Sequence, residues 1–591
     1  MASFKIGINM AGAVSAGAYT AGVLDFLTEA LDEWYKAKSA GEAVPIHDAS
    51  LEVFSGASAG GMCAAISAVM LQEDFEHIHD TAQSGTSNRF YESWVNRIDI
   101  RELLKADDLK KSPNVISLLD SSILNQIASY ALTPTNPLRS PKPYVSPNLT
   151  LFLSLTNLRG EPYSLNGSAP GSIEESTFFF GDRIRFETLR PDKQTKPAAS
   201  AHPIDITRPG AAGGWDVLQT AALATGAFPL FLAPRILSRI AGEYTPPVWE
   251  SVASAVTGTP PPIKPNFPAD LPQPFETLNV DGGVTNNDPF NYAHDYLGSV
   301  EPPCAPDQMF RSPLEVDRAV IGIAPFPTTE KFDINFDAAE SSHVFSVIPR
   351  LISALISQSR FFGESLSQIM DGTTFSRFII APSDDRPASA PSHDGALSHP
   401  LPALQCATLG AFGGFFERGF RAHDYALGRR NCQKFLRDYF ILPADNVIIA
   451  PALKALDPIA RDTVLKTFGH SAPGTYSHSA QDLAQKGCPV PQVQADAGDV
   501  WIPIIPLCGS VSKDLGPVPR ATISDSALDD IVKLILQRFR AVTSALLSQV
   551  SSWPLRTFLK VGQPVIRFLA RQPLKDALIK QLGPAYRSSK V

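Results

Sequence analysis

Phe54-Ser55-Gly56-Ala57-Ser58-Ala59-Gly60-Gly61 is the stretch that decides the fold. The apolar run Leu51–Ser55 leading into it reads as a short buried strand. The small-residue run Gly61-Met62-Cys63-Ala64-Ala65-Ile66 that follows reads as a helix. Between them lies a Gly-x-Ser-x-Gly turn, the sequence form of a nucleophile elbow, in which the serine occupies a tight strand-to-helix turn that only small neighbours fit. The motif alone occurs by chance in long chains, and the strand before it and helix after it are what give it weight. They place the Ser58 hydroxyl at the positive end of a helix.

Working outward, Phe4–Asn9, Leu149–Leu155, Thr277–Val280, Arg318–Ala324 and Phe375–Ala381 read as further short buried strands. Helical patterns alternate with them at about 17–37, 59–72, 215–227, 345–370 and 409–440. Such alternation predicts a parallel sheet covered on both faces. Prolines punctuate the chain, 51 of 591 residues or about 9% against an average near 5%. Nine of them fall between Pro246 and Pro274, marking an insertion rather than a central strand.

Two more stretches carry chemistry. The first strand opens into Gly12-Ala13-Val14-Ser15-Ala16-Gly17, a small-residue loop feeding a helix and offering backbone amides to an anion. It is not a dinucleotide fingerprint, because Val14 stands where the middle glycine belongs. For acyl transfer the same amides would form an oxyanion hole, at roughly 3–4 kcal/mol per donor. Further on, Leu278-Asn279-Val280-Asp281-Gly282-Gly283 ends a strand in an aspartate and two glycines, putting a carboxylate at the rim where α/β active sites gather.

Taken together, these three segments resemble the patatin-like phospholipase family, with the oxyanion loop, the elbow and the Asp-Gly-Gly in that family's order. Gly17–Leu24 resembles the helix after its oxyanion loop, and Ala224-Thr225-Gly226-Ala227-Phe228-Pro229 resembles a further family segment. The resemblance spans about residues 4–325. It implies an α/β, three-layer sandwich with a mostly parallel central sheet, here with proline-rich insertions and a helical C-terminal region. It also implies a lipid acyl hydrolase of the phospholipase A type, with Ser58 as nucleophile and Asp281 as general base and acid. Gly12, Ala13 and Val14 would supply the oxyanion hole, Gly56, Gly60, Gly282 and Gly283 the motif frame, and neither metal nor other cofactor is required. The loop departs from the family's Gly-Gly-Gly-x-x-Gly and lacks the basic residue before its last glycine, and donors survive such changes only where φ is negative.

Two alternatives accompany that expectation. A catalytically silent lipid-binding or scaffold protein would retain the fold with an ineffective oxyanion loop. A Ser-His-Asp esterase would draw on His294, although Phe290–Leu297 reads as a helix leading away from the rim and carrying an ordinary surface histidine. The cluster Phe420–Cys432, with Arg421, His423, Asp424, Arg429 and Arg430, reads either as a headgroup site or, more simply, as an ion-pair network seating a helix.

Bulk properties set the remaining limits. A net charge of −8 gives no general reason to bind nucleic acid. Cysteines 63, 304, 406, 432, 488 and 508 form no CxxC, so neither a zinc ribbon nor a disulfide framework is indicated, and a reducing cytoplasmic setting is the default expectation. The chain divides into a catalytic region over 1–385 with an insertion near 240–275, a mixed region over 386–520, and a basic helical tail over 521–591. From Ile531 onward, eleven Lys or Arg face Asp576 as the one acid, a local charge of +10 that leaves −18 on the rest. Leu534, Ile535, Phe539, Leu546 and Leu547, then Phe558, Val565, Ile566, Phe568 and Leu569, recur at broadly helical spacing. Such a tail either caps the acidic body or lies peripherally on an anionic membrane. Oligomeric state leaves no mark in the sequence.

Overall fold

Strand β1 (Ser3–Met10) lies mid-sheet and is buried on both faces, with Phe4, Ile6, Ile8 and Met10 turned to one side and Gly7 and Asn9 to the other. It pairs in parallel with β2 (Asp48–Gly56) on one edge and with β8 (Arg318–Ile323) on the other. The chain reaches β8 only after β3 (Val145–Leu165), β4 (Glu175–Leu189), β5 (His202–Asp205), β6 (Arg235–Arg239) and β7 (Phe275–Asp281). Strand β9 (Arg377–Ile380) extends the sheet beyond β8, giving the order β5-β4-β3-β2-β1-β8-β9 with β6 and β7 attached at β3. The structure, a computed structural model, describes residues 3–112, 114–134, 142–165, 175–190, 196–244, 265–303, 313–326, 377–384, 402–471, 500–548 and 571–587, with 338, 347, 354, 358 and 359.

The mostly parallel sheet predicted from the sequence is borne out. It is not uniformly parallel, however, since β3–β4, β3–β7 and β6–β7 are antiparallel. The sequence reading missed β4, where Ile184 and Phe186 turn into the core between Arg183 and Arg185, a polar alternation typical of a half-exposed antiparallel strand. The helical pattern expected over 345–370 lies almost wholly outside the described residues.

Around the sheet run helices α1 (Gly17–Ser39), α2 (Ala59–Met70), α3 (Ser122–Ala131), α4 (Trp215–Thr225), α5 (Phe290–Ser299), α6 (Arg418–Asp438) and α7 (Asp525–Ser548). The period-2 geometry of the strands sorts their side chains into two cores. Leu151 and Leu153 join the large core on the α1 and α2 side, whereas Phe152 joins Val53 and Val320 beneath Phe290, Ala293 and Leu297 of α5. Helices therefore cover both faces, and the architecture is a three-layer sandwich.

Helix α6 packs on α1 at very short range. A Cβ on Gly22 would fall 2.0 Å from the Tyr425 carbonyl oxygen, and one on Gly428 would fall 2.2 Å from that of Tyr19. Phe416, Phe420 and Tyr425 share the large core with Phe4 and Ile8, so the 402–471 stretch is packed into the same hydrophobic centre as the sheet. Leu528, Ile531, Val532 and Leu536 of α7 are buried too, and buried Arg538 donates to the carbonyls of Lys105, Ser117 and Leu118 and pairs with Asp108. The first part of the basic tail is thus a cap on the body. Phe558, Val565, Ile566, Phe568 and Leu569 fall outside the described residues.

Candidate active site

Strands β2 and β7 approach each other end to end along one edge of β3. β2 runs parallel to β3 and ends with Gly56 opposite Leu153, while β7 runs antiparallel and ends with Asp281 opposite Leu155. The other edge of β3 is taken by β4, which pairs Leu155 with Asp182. The C-terminal ends of β2 and β7 therefore meet two residues apart on β3, and this brings Ser58 to Asp281 across 223 residues of chain.

Ser58 caps α2 at φ 51, ψ −126, a conformation strained for any residue with a Cβ. Close packing makes that turn: a Cβ on Gly60 would lie 2.2 Å from the Met10 carbonyl oxygen, and one on Gly56 would lie 2.5 Å from the Gly60 carbonyl carbon. The Ser58 amide donates to Thr225 Oγ1 (3.0 Å), which in turn donates to the Ser154 carbonyl (2.7 Å), so α4 and β3 both hold the elbow. Ser58 Oγ donates to Asp281 Oδ2 at 2.6 Å, and Asp281 Oδ1 accepts the Gly283 amide at 2.7 Å. Burial pushes the Asp281 carboxyl up to about 7, against the pull of the hydrogen bonds from Ser58 and Gly283. A weak carboxylate base is thereby placed in the range where it can exchange protons near neutral pH. Gly282 packs so tightly that a Cβ would touch the Ser154 carbonyl at 2.0 Å.

The loop Gly12–Gly17 passes beside this pair. The Gly12 amide is already committed to the Asn287 carbonyl at 2.9 Å, so of the three expected donors it is not free. The amides of Ala13 and Val14 donate to no acceptor among the described residues. Ala13 has φ −146, but Val14 has φ 47, a left-handed conformation that a β-branched residue adopts only under constraint. The constraint comes from residues 405–414. Ser15 Oγ donates to the Ala411 carbonyl at 2.5 Å and accepts the Gly414 amide at 3.1 Å. Asp424 of α6 in turn holds the amides of Gln405 (2.8 Å) and Cys406 (2.9 Å). Asn287 wedges between the loop and the Asp-Gly-Gly turn, its Oδ1 lying where a Cβ on Gly12 or Gly283 would fall. Sequence reasoning overlooked Thr225, Asn287 and Ser15. All three sit inside or beside segments already singled out, but no spacing marks them as the residues that hold the site.

Ser58, Asp281 and Val14 open onto a cavity with about 900 Å³ of empty space, the open solvent at its mouth included. Among the described residues Ser93 is the only other polar residue in its lining; the rest is apolar, including Met62, Leu119, Ile127, Leu232, Phe412 and Phe415.

His294 is not part of the arrangement. It is buried rather than on a helix surface, its Nδ1 faces Asp295 at 3.3 Å and its Nε2 faces Arg377 at 3.2 Å, while both Asp281 oxygens are engaged elsewhere. The Phe420–Cys432 cluster is an ion-pair and hydrogen-bond network that seats α6. Arg429 pairs with Asp25 and Glu29, Arg421 donates to the Val95 and Gly414 carbonyls, and His423 Nδ1 lies 2.8 Å from Asp424. Among the described residues no group of three or more His, Cys, Asp or Glu is placed to hold a metal ion.

The fold is a three-layer α/β sandwich with an apolar cavity opening at Ser58 and Asp281. A sequence model described as patatin-like phospholipase matches residues 9–294, and the chain belongs to that family of lipid acyl hydrolases. It is 33% identical over 609 aligned positions to the uncharacterized protein y4iI of Sinorhizobium fredii (strain NBRC 101917 / NGR234), covering 97% of this chain and 80% of the relative. Among solved structures, VipD from Legionella pneumophila aligns over 99% of this chain and 89% of its own at 13% identity, with a TM-score of 0.23 too low to carry an argument.

Proposed function

We propose that this protein cleaves carboxylic ester bonds of phospholipids or other acyl lipids through an acyl-Ser58 intermediate, with Asp281 as the proton-transfer group. Asp281 Oδ2 takes the Ser58 hydroxyl proton as Oγ attacks the ester carbonyl carbon. The Ala13 amide, at negative φ, stabilises the resulting oxyanion, and the Val14 amide joins it only because the packed 405–414 segment holds that residue at φ 47. Collapse breaks the ester C–O bond, and Asp281 returns the proton to the departing alcohol. Water then attacks the acyl-enzyme, giving its proton to Asp281 and freeing the fatty acid and Ser58. The observation that carries this reading is the 2.6 Å Ser58–Asp281 contact at the head of an apolar cavity.

Fatty-acid release from mixed phospholipid vesicles by the wild type, Ser58→Ala and Asp281→Asn, each checked for folding, tests it. Release by the wild type with a loss of about 10³-fold or more in both variants is expected. A folded wild type that releases nothing would favour a lipid-binding protein whose Val14-containing loop no longer serves the transition state.

A further inference from the structure

Two short segments wall the cavity, reach the protein surface and are hydrogen-bonded to each other. The Leu118 amide donates to the Leu230 carbonyl at 2.8 Å, and the Leu119 amide to the Phe231 carbonyl at 3.0 Å. The two segments face both inward and outward. Leu119 and Leu232 turn inward to line the cavity, whereas Leu118 and Phe231 beside them turn to solvent. Ile116 and Leu230 are the most exposed of the set, at 66% and 67%. Leu230 is held outward at φ 69, a conformation that an exposed leucine gains nothing from in water. Arg538 ties this pair of segments to α7 through the Leu118 and Ser117 carbonyls, so the platform is anchored rather than a loose loop. Nearby, Lys111 is exposed beside Lys110, which pairs with Asp107 at 2.8 Å, and α7 exposes Arg540.

From this placement, and resting on the acyl-hydrolase reading above, we infer that Ile116, Leu118, Leu230 and Phe231 form the surface by which the protein docks on a lipid bilayer. The apolar side chains enter the acyl boundary while the nearby cations meet the headgroups. Continuity with the cavity selects the occupant: the same segments that are apolar outward are apolar inward, so a chain leaving the bilayer stays in an apolar environment until its ester reaches Ser58. The contact is thereby assigned to these two segments, separately from the basic tail.

The test is flotation of the full chain with vesicles of phosphatidylcholine and phosphatidylglycerol, beside hydrolysis of the water-soluble ester p-nitrophenyl butyrate. The double variant Ile116→Glu/Leu230→Glu should bind vesicles about tenfold or more weakly, yet cleave the soluble ester at the wild-type rate. Ile116→Ser/Leu230→Ser, a milder change at solvent-exposed positions, guards against misfolding and should shift binding in the same direction. Unchanged vesicle binding by either folded pair overturns the docking surface. A wild type that floats with vesicles but cleaves neither substrate sinks the hydrolase reading and leaves the docking surface standing.

Discussion

A single carboxyl sets the pH behaviour of the site. Asp281 is buried with no cation beside it among the described residues, so its charged form is disfavoured and its proton is held to about pH 7. Only the deprotonated form can accept the Ser58 proton, and kcat/KM should therefore rise with pH on a limb centred near 7, measured with a soluble ester. A flat profile from pH 5 to 8 would remove Asp281 as the base. The same shift acts on stability. The native state holds this proton above the unfolded carboxyl's range, so the group's contribution is fully present below about pH 4 and declines as pH rises through 7. Asp281→Asn should accordingly be more stable than wild type at pH 8, by up to about 4 kcal/mol, and lose that advantage at pH 4 in chemical denaturation. Val14 is the other residue-scale feature. Its left-handed φ is a cost of about 1–2 kcal/mol that the fold carries next to the reacting atoms.

Elements outside the matched family region hold that residue in place. Helix α6 lies against α1 where Gly22 and Gly428 let the backbones meet, and Arg429 reaches from α6 to Asp25 and Glu29 of α1. Burial alone would push the Asp25 carboxyl up, but Arg429 and His77 hold it at about 2. This interaction stabilises the protein above about pH 4 and is lost as pH falls toward 2. Arg429→Met would leave two buried carboxylates without their shared cation, and should cost about 3–5 kcal/mol at pH 7, read from the shift in denaturant midpoint. A change under 1 kcal/mol would mean that the α1–α6 contact rests on apolar packing alone. Through Asp424 and residues 405–414 the same helix braces Ser15, one residue from the amides assigned to the oxyanion.

At the scale of the molecule, the Ser58–Asp281 pair and much of what supports it lie in different halves of the chain. Phe412 and Phe415 wall the cavity, and Phe416, Phe420 and Tyr425 fill the core beneath α1. A chain ended at residue 385 keeps Ser58, Asp281 and every strand of the main sheet, yet it uncovers α1 and frees the Gly12–Gly17 loop. Such a chain should aggregate or show no cooperative thermal transition, whereas the full chain should unfold cooperatively. A soluble, cooperatively folding 1–385 fragment would show that α6 is dispensable to the core.

The sequence by itself determined the parallel heart of the sheet, the elbow at Ser58 and the aspartate-ended strand at Asp281. These depend on short-range rules: an apolar run long enough for one strand, small residues where backbones nearly touch, and a polar group just past a strand end. Tertiary structure alone decided what those pieces do together. No local pattern shows that β2 and β7 will share an edge of β3, or that the Gly12 amide will be taken by Asn287 while those of Ala13 and Val14 are left over. Nor does any spacing announce that Ser15 will find its partners 396 and 399 residues away, at Ala411 and Gly414. Such contacts join segments whose own periodicity is satisfied either way, so they become defined only when the large core closes and each buried polar group must find a partner.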